Sequence, residues 1–334
     1  MKNHLIITTI ILFISTSISF AQSVQDFKVK TLGPANLNYK KSPKRVLIGD
    51  FQVKYQTALN LEDEKKGGKM WRGGIKGDAK ASLTLVLDGL EPDNLQTLTD
   101  QLYQQYVSNL KAQGFEIVPI EELWNHKVYE KNRDKRWELK AGAGPEQGDE
   151  FGMILTRPSI QKFVVAKNTV DPKMPGNMSV LTDYEENTER KLSMQKNDFI
   201  FNKVVIVVSA FEDGQSETSK SLNRAAGYAQ VKAETNFKIS EASTNKFDMG
   251  TMMVKSGVEV ANVLEKQKFD ASQGADVDKR GTDIGVLRVW KVEDQEDINL
   301  SVVECNPTKY INGSKIGAEA FLTNTAEAMI QKSK

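Results

Sequence analysis

Histidine and cysteine, which most often serve as nucleophiles, general bases and metal ligands, are nearly absent from this sequence. It contains two histidines and one cysteine among 334 residues. His126 is the only imidazole outside the first 21 residues, and no Gly-x-Ser-x-Gly motif accompanies it. We therefore predict that His126 is a solvated loop residue and that Cys305 is a buried structural one. The sequence has too few histidine and cysteine residues to form a zinc or iron site from them, and we predict no cofactor.

Carboxylates are the abundant acid–base groups. Asp50 lies within a predicted strand, and Glu212 and Asp213 follow another strand, directly before a glycine. Two carboxylates about 5–10 Å apart would suit glycoside hydrolysis, but linear spacing does not show that any two meet. Asp-Gly is also an ordinary turn sequence. A hydrolase that uses carboxylates alone is therefore kept as an alternative, and a protein without catalytic activity is favoured.

A short acidic stretch resembles half of a calcium-binding loop. Asp276 and Asp278 occupy its first and third positions, and Gly281 occupies its sixth. Arg280 stands at the fifth position, and Leu287 stands at the twelfth, where calcium needs a bidentate glutamate. The sequence therefore favours a solvated loop over a cation site.

Residues 56–80 form a polar, glycine-rich insertion. Its glycines lie among lysines and an arginine, but no Gly-Lys-Ser/Thr ending follows, so a phosphate-binding loop is not supported. We predict a flexible surface hairpin or loop. Met70 and Trp71 are large apolar residues in its middle, and we predict that they contact a partner or a membrane surface. The alternative is that they fold back onto the domain.

The N-terminus has the pattern of an export signal. Lys2 precedes an apolar run over residues 5–14, and Ser19-Phe20-Ala21 matches a small-x-small cleavage site. We predict cleavage after Ala21 and no lipid anchor, because no cysteine stands directly after the apolar run. The chain has 45 basic and 44 acidic residues, and the signal removes one lysine, which leaves a balanced charge. A balanced charge gives no global attraction to nucleic acid.

The elements that must position these residues begin with a helix predicted over residues 94–113. Its apolar residues are spaced three or four apart, and they are Leu95, Leu98, Leu102, Tyr106 and Leu110. Asp93 and Gln96 fit the two halves of a capping box, and Gly114 fits a left-handed C-terminal stop. Strands are predicted before the helix, at residues 45–55 and 81–90, and after it, at residues 115–120.

The second half of the chain is richer in strands. An uninterrupted β-branched run at residues 204–208 indicates a central strand buried on both faces. Residues 231–239 alternate between apolar and polar side chains, which places one side on a core or on lipid and the other in water. Residues 284–292 and 298–303 are predicted to pair as antiparallel strands, and a final helix is predicted over residues 318–330.

These elements predict an α+β or α/β fold, in which a mixed β-sheet carries the helix at about residues 94–113 and the C-terminal helix. The predicted organisation is a signal peptide over residues 1–21, a flexible arm over residues 22–44, and one domain over residues 45–334. Polar insertions interrupt that domain at residues 56–80 and 125–150.

The order of these elements resembles the group of envelope proteins that includes the curli secretion channel (CsgG-type) and the penicillin-binding-protein activator (LpoB-type). The matching pieces are the two early strands, the helix at residues 94–113, Gly114-Phe115-Glu116-Ile117-Val118, the run at residues 204–208 and the final helix. The lipid-anchoring cysteine of that group is missing here, and the two polar insertions are larger. The resemblance implies a non-enzymatic role in envelope assembly or binding.

We therefore expect an exported, non-enzymatic cell-envelope protein that binds or assembles envelope components. Its expected location is the periplasm or the outer membrane, with the extracellular space as a further alternative. Its expected partner is an envelope protein or the outer-membrane surface, with a second copy of the chain as another candidate. A ring-forming secretion subunit is the alternative function, and amphipathic runs such as residues 231–239 would then insert in the outer membrane.

Overall fold

Two long parallel strands, β2 (Arg45–Gln56) and β12 (Ile200–Asp213), lie at the centre of the main sheet. The computed structural model describes residues 21–34, 38–65, 68–69, 75–76, 79–130, 137–142, 145–147, 151–167, 188, 190–193, 197–226, 229–271 and 300–333. The predicted contact residues Met70 and Trp71 lie outside these ranges, as do Asp276 and Asp278 of the calcium-like stretch.

The other elements complete a mixed α+β fold. The remaining strands are β1 (Val29–Leu32), β3 (Ala58–Lys65), β4 (Gly68–Lys69), β5 (Ile75–Lys76), β6 (Ala79–Asp88), β7 (Glu116–Ile117), β8 (Trp137–Ala141), β9 (Glu146–Gln147), β10 (Met153–Thr156), β11 (Lys162–Ala166), β13 (Lys232–Ile239), β14 (Thr244–Phe247), β15 (Gly250–Val254), β16 (Val258–Glu259), β17 (Lys268–Asp270) and β18 (Leu300–Glu304). Helices with both ends among the described residues are α1 (Pro92–Ala112), α2 (Ile120–Trp124), α3 (Lys127–Glu130), α4 (Glu217–Ala226) and α5 (Pro307–Gln331).

The main sheet runs in the order β1-β15-β14-β12-β2-β10-β9, and β13 also pairs with β12, β16 and β17. β2 pairs in parallel with β12 and with β7, and β10, β13 and β14 join their neighbours antiparallel. This arrangement confirms the predicted mixed sheet and the central position of the β-branched run.

A β-bulge in β2 depends on Gly49. The register shifts there, because Asn202 pairs with Ile48 whereas Lys203 pairs with Asp50. A Cβ at Gly49 would lie 2.2 Å from Cε2 of Phe201, so a larger residue does not fit without displacing that ring.

The polar insertion predicted at residues 56–80 begins and ends in regular structure. β3 and β6 form an antiparallel hairpin whose register runs from the pair Ala58–Val86 to the pair Lys65–Ala79. β18 lies parallel to β6 on its other side. We predicted an antiparallel partner for this last strand at residues 284–292, but those residues lie outside the described ranges.

Helix α1 confirms the predicted stripe, since all five of its residues are buried. The capping box is wrong. The helix begins at Pro92 with Glu91 as its N-cap, no side chain caps it, and Gln96 donates instead to the carbonyl oxygen of Arg157 at 2.8 Å. Gly114 has a φ of 85°, which confirms the left-handed stop. Only Glu116 and Ile117 of the predicted strand that follows pair as β7, because α2 begins at Ile120.

Helix α5 begins eleven residues earlier than predicted, at Pro307, with Asn306 as its N-cap. Gly313 and Gly317 lie inside it, where glycine usually disfavours a helix. A Cβ at Gly313 would lie 2.4 Å from Cγ2 of Val263, and one at Gly317 would lie 2.9 Å from Cγ2 of Val260. The two glycines therefore allow the helix to approach the segment after β16 closely.

Helices α1 and α5 pack on one face of the main sheet and form the larger hydrophobic cluster with it. We call this the helical face. Among its fully buried side chains are Phe51, Val204, Ile206, Tyr310 and Phe321. This packing confirms that both predicted helices lie on the sheet.

A smaller cluster covers one end of the opposite face. Leu47 of β2 and Phe201 of β12 pack there against α2, α3, β8 and β11. Trp137 and Tyr129 meet edge to face, with ring centroids 4.9 Å apart. The insertion predicted at residues 125–150 therefore supplies part of a core.

The arm predicted at residues 22–44 is not irregular throughout. β1 pairs with β15 from Val29–Val254 to Leu32–Thr251, and Val24 forms a bridge with Val260. Backbone hydrogen bonds at a sheet edge hold this polar segment, and they place few demands on side-chain type.

Candidate functional site

His126 has structural partners at both ring nitrogens. Nδ1 accepts a hydrogen bond from the N–H of Val128 at 3.3 Å, so Nε2 carries the hydrogen and faces Oδ1 of Asn197 at 3.2 Å. Partial burial lowers the pKa of this imidazole, and Lys127 acts in the same direction. The side chain is half-buried against Phe199, so the prediction of a solvated residue is wrong in that respect.

Cys305 is buried, as predicted, at the end of β18. Burial raises the pKa of its thiol to about 11. A thiol with such a pKa is protonated at neutral pH and is a poor nucleophile.

Each of the three carboxylates considered for catalysis is bound by a cation. Oδ1 of Asp50 lies 3.0 Å from Nε of Arg157, and Asp50 also accepts a hydrogen bond from Gln52. Glu212 lies 3.1 Å from Nζ of Lys238, and Asp213 is paired with Lys220. These contacts give all three a structural role.

Glu212 has a second carboxylate directly opposite it. The strand register pairs it with Glu234 of β13. Partial burial acts to raise the pKa of Glu212, but hydrogen bonds from Asn236 and Lys238 and the charge of Lys238 outweigh it, and the pKa is lowered. Glu234 lies 3.8 Å from Nζ of Lys268. The two carboxylates are thus close, but each faces a lysine on the surface of a sheet.

The smaller hydrophobic cluster covers only one end of the sheet face that lies opposite the helical face. We call the remainder of that face the open face. Strand register places on it the half-buried side chains of Leu155, Val205 and Met253 and the buried side chain of Val207. Val207 is 9% exposed. None of the four belongs to either hydrophobic cluster. Among the described residues, neither hydrophobic cluster covers this part of the sheet.

Lysines dominate one half of the open face, which we call the lysine half. They lie on four different strands: Lys54 on β2, Lys203 on β12, Lys246 on β14 and Lys30 on β1. Lys203 and Lys246 are directly opposite each other in register. Lys30 and Lys54 form no ion pair with any residue within the described ranges. Asp50, an acidic residue in this half, is bound by Arg157.

The other half of the open face, which we call the ladder half, carries compensated charges. Lys232 lies 3.7 Å from Asp270, Glu234 lies near Lys268, and Lys238 bridges Glu212 and Glu241. The opposite side of β13 is buried, so the predicted alternation is confirmed, and Phe237 meets Tyr310 of α5 at 5.1 Å between ring centroids. That apolar side therefore packs on a protein core.

The sequence indicated this surface only in part. The run at residues 204–208 predicted burial on both faces, and Val207 on the open side is buried, whereas Val205 is half-buried and flanked in register by Gln52 and Thr244. Lys54, Lys203 and Lys246 are far apart in the chain, and only the strand order brings them onto one surface. The predicted contact residues Met70 and Trp71 remain a prediction.

Comparisons with known proteins add no constraint. No protein-family model, curated protein sequence or solved structure matches this chain. The resemblance to the CsgG-type and LpoB-type group therefore stays a prediction.

Two further tests concern membranes and metals. Among the helices of the described residues, none is both long and apolar enough to cross a membrane. Over the same residues, no group of three or more histidine, cysteine, aspartate and glutamate side chains is arranged to hold a metal ion.

Proposed function

We propose that this protein is an exported cell-envelope protein that binds or assembles envelope components without catalysing a reaction. The N-terminal signal pattern supports export. The pattern resemblance to envelope assembly proteins supports the functional class.

The observation that carries the proposal is the contrast within the open face. Its ladder half neutralises its own charges, whereas Lys30 and Lys54 in the lysine half have no acidic partner within the described ranges. Half-buried aliphatic side chains such as Val205 lie between these lysines. A surface that combines lysines with partly exposed apolar groups suits a negatively charged partner that also has apolar surface.

The ring-forming alternative draws its support from the alternation in β13. In that alternative the apolar side of β13 would face lipid. Here that side packs on α5, and Ile239 contacts the position of Gly317. Membrane insertion of this strand would therefore require α5 to move away. Light scattering would measure the mass of the detergent-free and the detergent-extracted protein. The ring-forming alternative requires an oligomer that appears only with detergent.

The hydrolase alternative draws its support from Glu212 and Glu234. A panel of glycoside and ester substrates, assayed with the wild type and with a Glu212→Gln/Glu234→Gln variant, would test it. Hydrolysis that the variant loses would favour this alternative over the proposal.

Cell fractionation and site-specific photo-crosslinking together test the proposed function. Benzoylphenylalanine would replace Thr244, which lies on the lysine half, and in a control it would replace Gln104, which is exposed on α1. We expect the protein in the envelope or periplasmic fraction, with a discrete adduct from position 244 and none from position 104. Retention in the cytoplasm, or equal adducts from both positions, would contradict the proposal.

A further inference from the structure

A mismatch in strand length creates a cleft beside β13. Lys238 pairs with Glu259 of β16, and Glu234 pairs with Lys268 of β17. Between these pairs β13 has the three residues 235–237, whereas the facing chain has the eight residues 260–267. The extra residues must arch away from the strand, and compact surface loops of this kind are frequently functional.

The arched loop is held in place along its length. The hydroxyl of Thr235 donates to the carbonyl oxygen of Glu265 at 2.6 Å and accepts from the N–H of Gln267 at 2.8 Å. Asn262 adopts a left-handed conformation with a φ of 62°, and Val263 fits against Gly313 of α5. The N–H of Ala261 bonds to the carbonyl oxygen of Ser23 at 3.0 Å. The cleft is therefore preformed.

The size of the cleft suits a small molecule. Its volume is about 680 Å³. Ligand pockets in proteins typically span about 300–1,000 Å³. Four separate segments line it: the N-terminal arm with Gln25, β13 with Phe237, the arched loop, and the first turn of α5 with Lys309.

The charged side chains at the cleft are of both signs. Glu259 and Glu265 supply two carboxylates, and Lys266 and Lys309 supply two ammonium groups. No ion pair joins any of these four to another residue in the described part of the chain. Lys309 also lies in the first turn of α5, where the helix dipole favours a carboxylate.

We propose that this cleft binds a small zwitterion that carries both an ammonium and a carboxylate group, such as a free amino acid or the ends of a short peptide. Glu259 and Glu265 would attract the ammonium group, and Lys309 with the start of α5 would attract the carboxylate. Gln25 offers a carboxamide for hydrogen bonds to the remainder of the ligand, and Asn262, whose amide nitrogen donates to the carbonyl oxygen of Ala21 at 3.2 Å, offers its amide oxygen. This site rests on the cleft alone and is independent of the open face.

Isothermal titration of the full chain tests the proposal with free amino acids and with trialanine. We expect saturable 1:1 binding of a free amino acid or of trialanine. The probe that binds more tightly shows whether the ligand is a free amino acid or a short peptide. N-acetylation or C-terminal amidation of that probe removes one charge-assisted contact, which weakens binding at least about tenfold. Absence of saturable binding by all of these probes, or equal affinity of the blocked forms, would overturn the proposal.

Matched variants locate the site. Glu265→Gln removes one charge from the cleft without changing side-chain size, Lys309→Gln removes another with a shorter polar side chain, and we expect each to weaken binding about tenfold. Lys268→Gln is the control, because Lys268 lies just beyond the loop and is 87% exposed. Circular dichroism shows whether each variant is folded. Unchanged affinity in both folded cleft variants, or an equal loss in the control, would contradict this location.

Discussion

The two faces of the main sheet are formed by the same strands but carry different chemistry. On the helical face, polar side chains are buried and hydrogen-bonded to one another. Tyr106 of α1 reaches Asn202 at 3.2 Å and Asn245 at 3.3 Å, and Asn245 donates to Thr325 of α5 at 3.0 Å. On the open face, Lys54 and Lys203 emerge between half-buried aliphatic residues.

This difference separates stability from binding. A buried network that links two helices to two strands stabilises one arrangement, because each polar group would be left unpaired in any other. Lysines that form no ion pair within the described ranges, such as Lys30 and Lys54, contribute little to folding and can meet a partner's charge. Substitutions on the helical face should therefore change stability, and those on the lysine half should change binding.

The largest effect is expected in the core of the helical face. Phe321→Ala removes a fully buried ring, and we expect it to reduce the free energy of unfolding by about 3–5 kcal/mol. Val205→Thr replaces a valine on the open face with a residue of similar shape, and it should cost less than about 1 kcal/mol. Urea denaturation measures both. Similar losses would show that the two faces are equally buried.

The buried polar network should give the next largest effect. Asn245→Ala removes one hydrogen-bond partner from each of Asn202, Tyr106 and Thr325, and the expected loss is about 2–3 kcal/mol. Its neighbour Thr244 faces the open side, so Thr244→Ala should change stability by less than about 0.5 kcal/mol. Thermal unfolding of the two variants provides the comparison. A larger loss of stability for Thr244→Ala than for Asn245→Ala would contradict the stabilising role of the buried network.

Asp248, in the turn between β14 and β15, should make stability depend on pH. Burial raises the pKa of its carboxyl to about 7, although a hydrogen bond from the N–H of Phe201 opposes the rise. An unfolded aspartate has a pKa of about 4, so the protonated form favours the folded state. This contribution is fully present below about pH 4 and is lost as the pH rises through about 7.

Asp248→Asn removes that dependence, and asparagine tolerates the φ of 46° at this position. We expect the variant to match the wild type near pH 4 and to exceed its stability at pH 8. Asp26→Asn, at an exposed position, is the control. Denaturant unfolding at pH 4, 6 and 8 measures the effect, and a stability difference that does not change with pH would contradict it.

The smallest effect on stability is expected in the lysine half. Lys54→Gln retains a long polar side chain and should change the free energy of unfolding by less than about 0.5 kcal/mol. The adduct formed by the photo-crosslinker at position 244 should nevertheless decrease. A destabilised variant that keeps its adduct would place Lys54 among the structural residues instead.

Local patterns predicted much of the helical face. The stripe on α1 and the alternation in β13 follow from helix and strand periodicity, and both are buried as predicted. The start of α5 was not predicted, because Gly313 and Gly317 weaken a helix locally. Their close contacts with Val263 and Val260 are tertiary, and no local pattern contains them.

The candidate sites depend on strand order and register, which are non-local. Nothing near Lys54 or Lys246 in the chain indicates that both lie on one surface. The cleft likewise follows from the different lengths of chain between two strand pairings. The capping box failed for a similar reason, since Gln96 bonds to the carbonyl oxygen of Arg157, 61 residues away.

Charge reversal on the two halves of the open face tests the central claim most directly. The crosslinker at position 244 would be combined in cells with Lys30→Glu/Lys54→Glu in the lysine half, or with Lys232→Glu/Lys268→Glu in the ladder half. We expect the first pair to reduce adduct yield by more than about tenfold, because it repels an anionic partner, and the second to preserve most of it. Equal yields from two folded variants would contradict the assignment of binding to the lysine half.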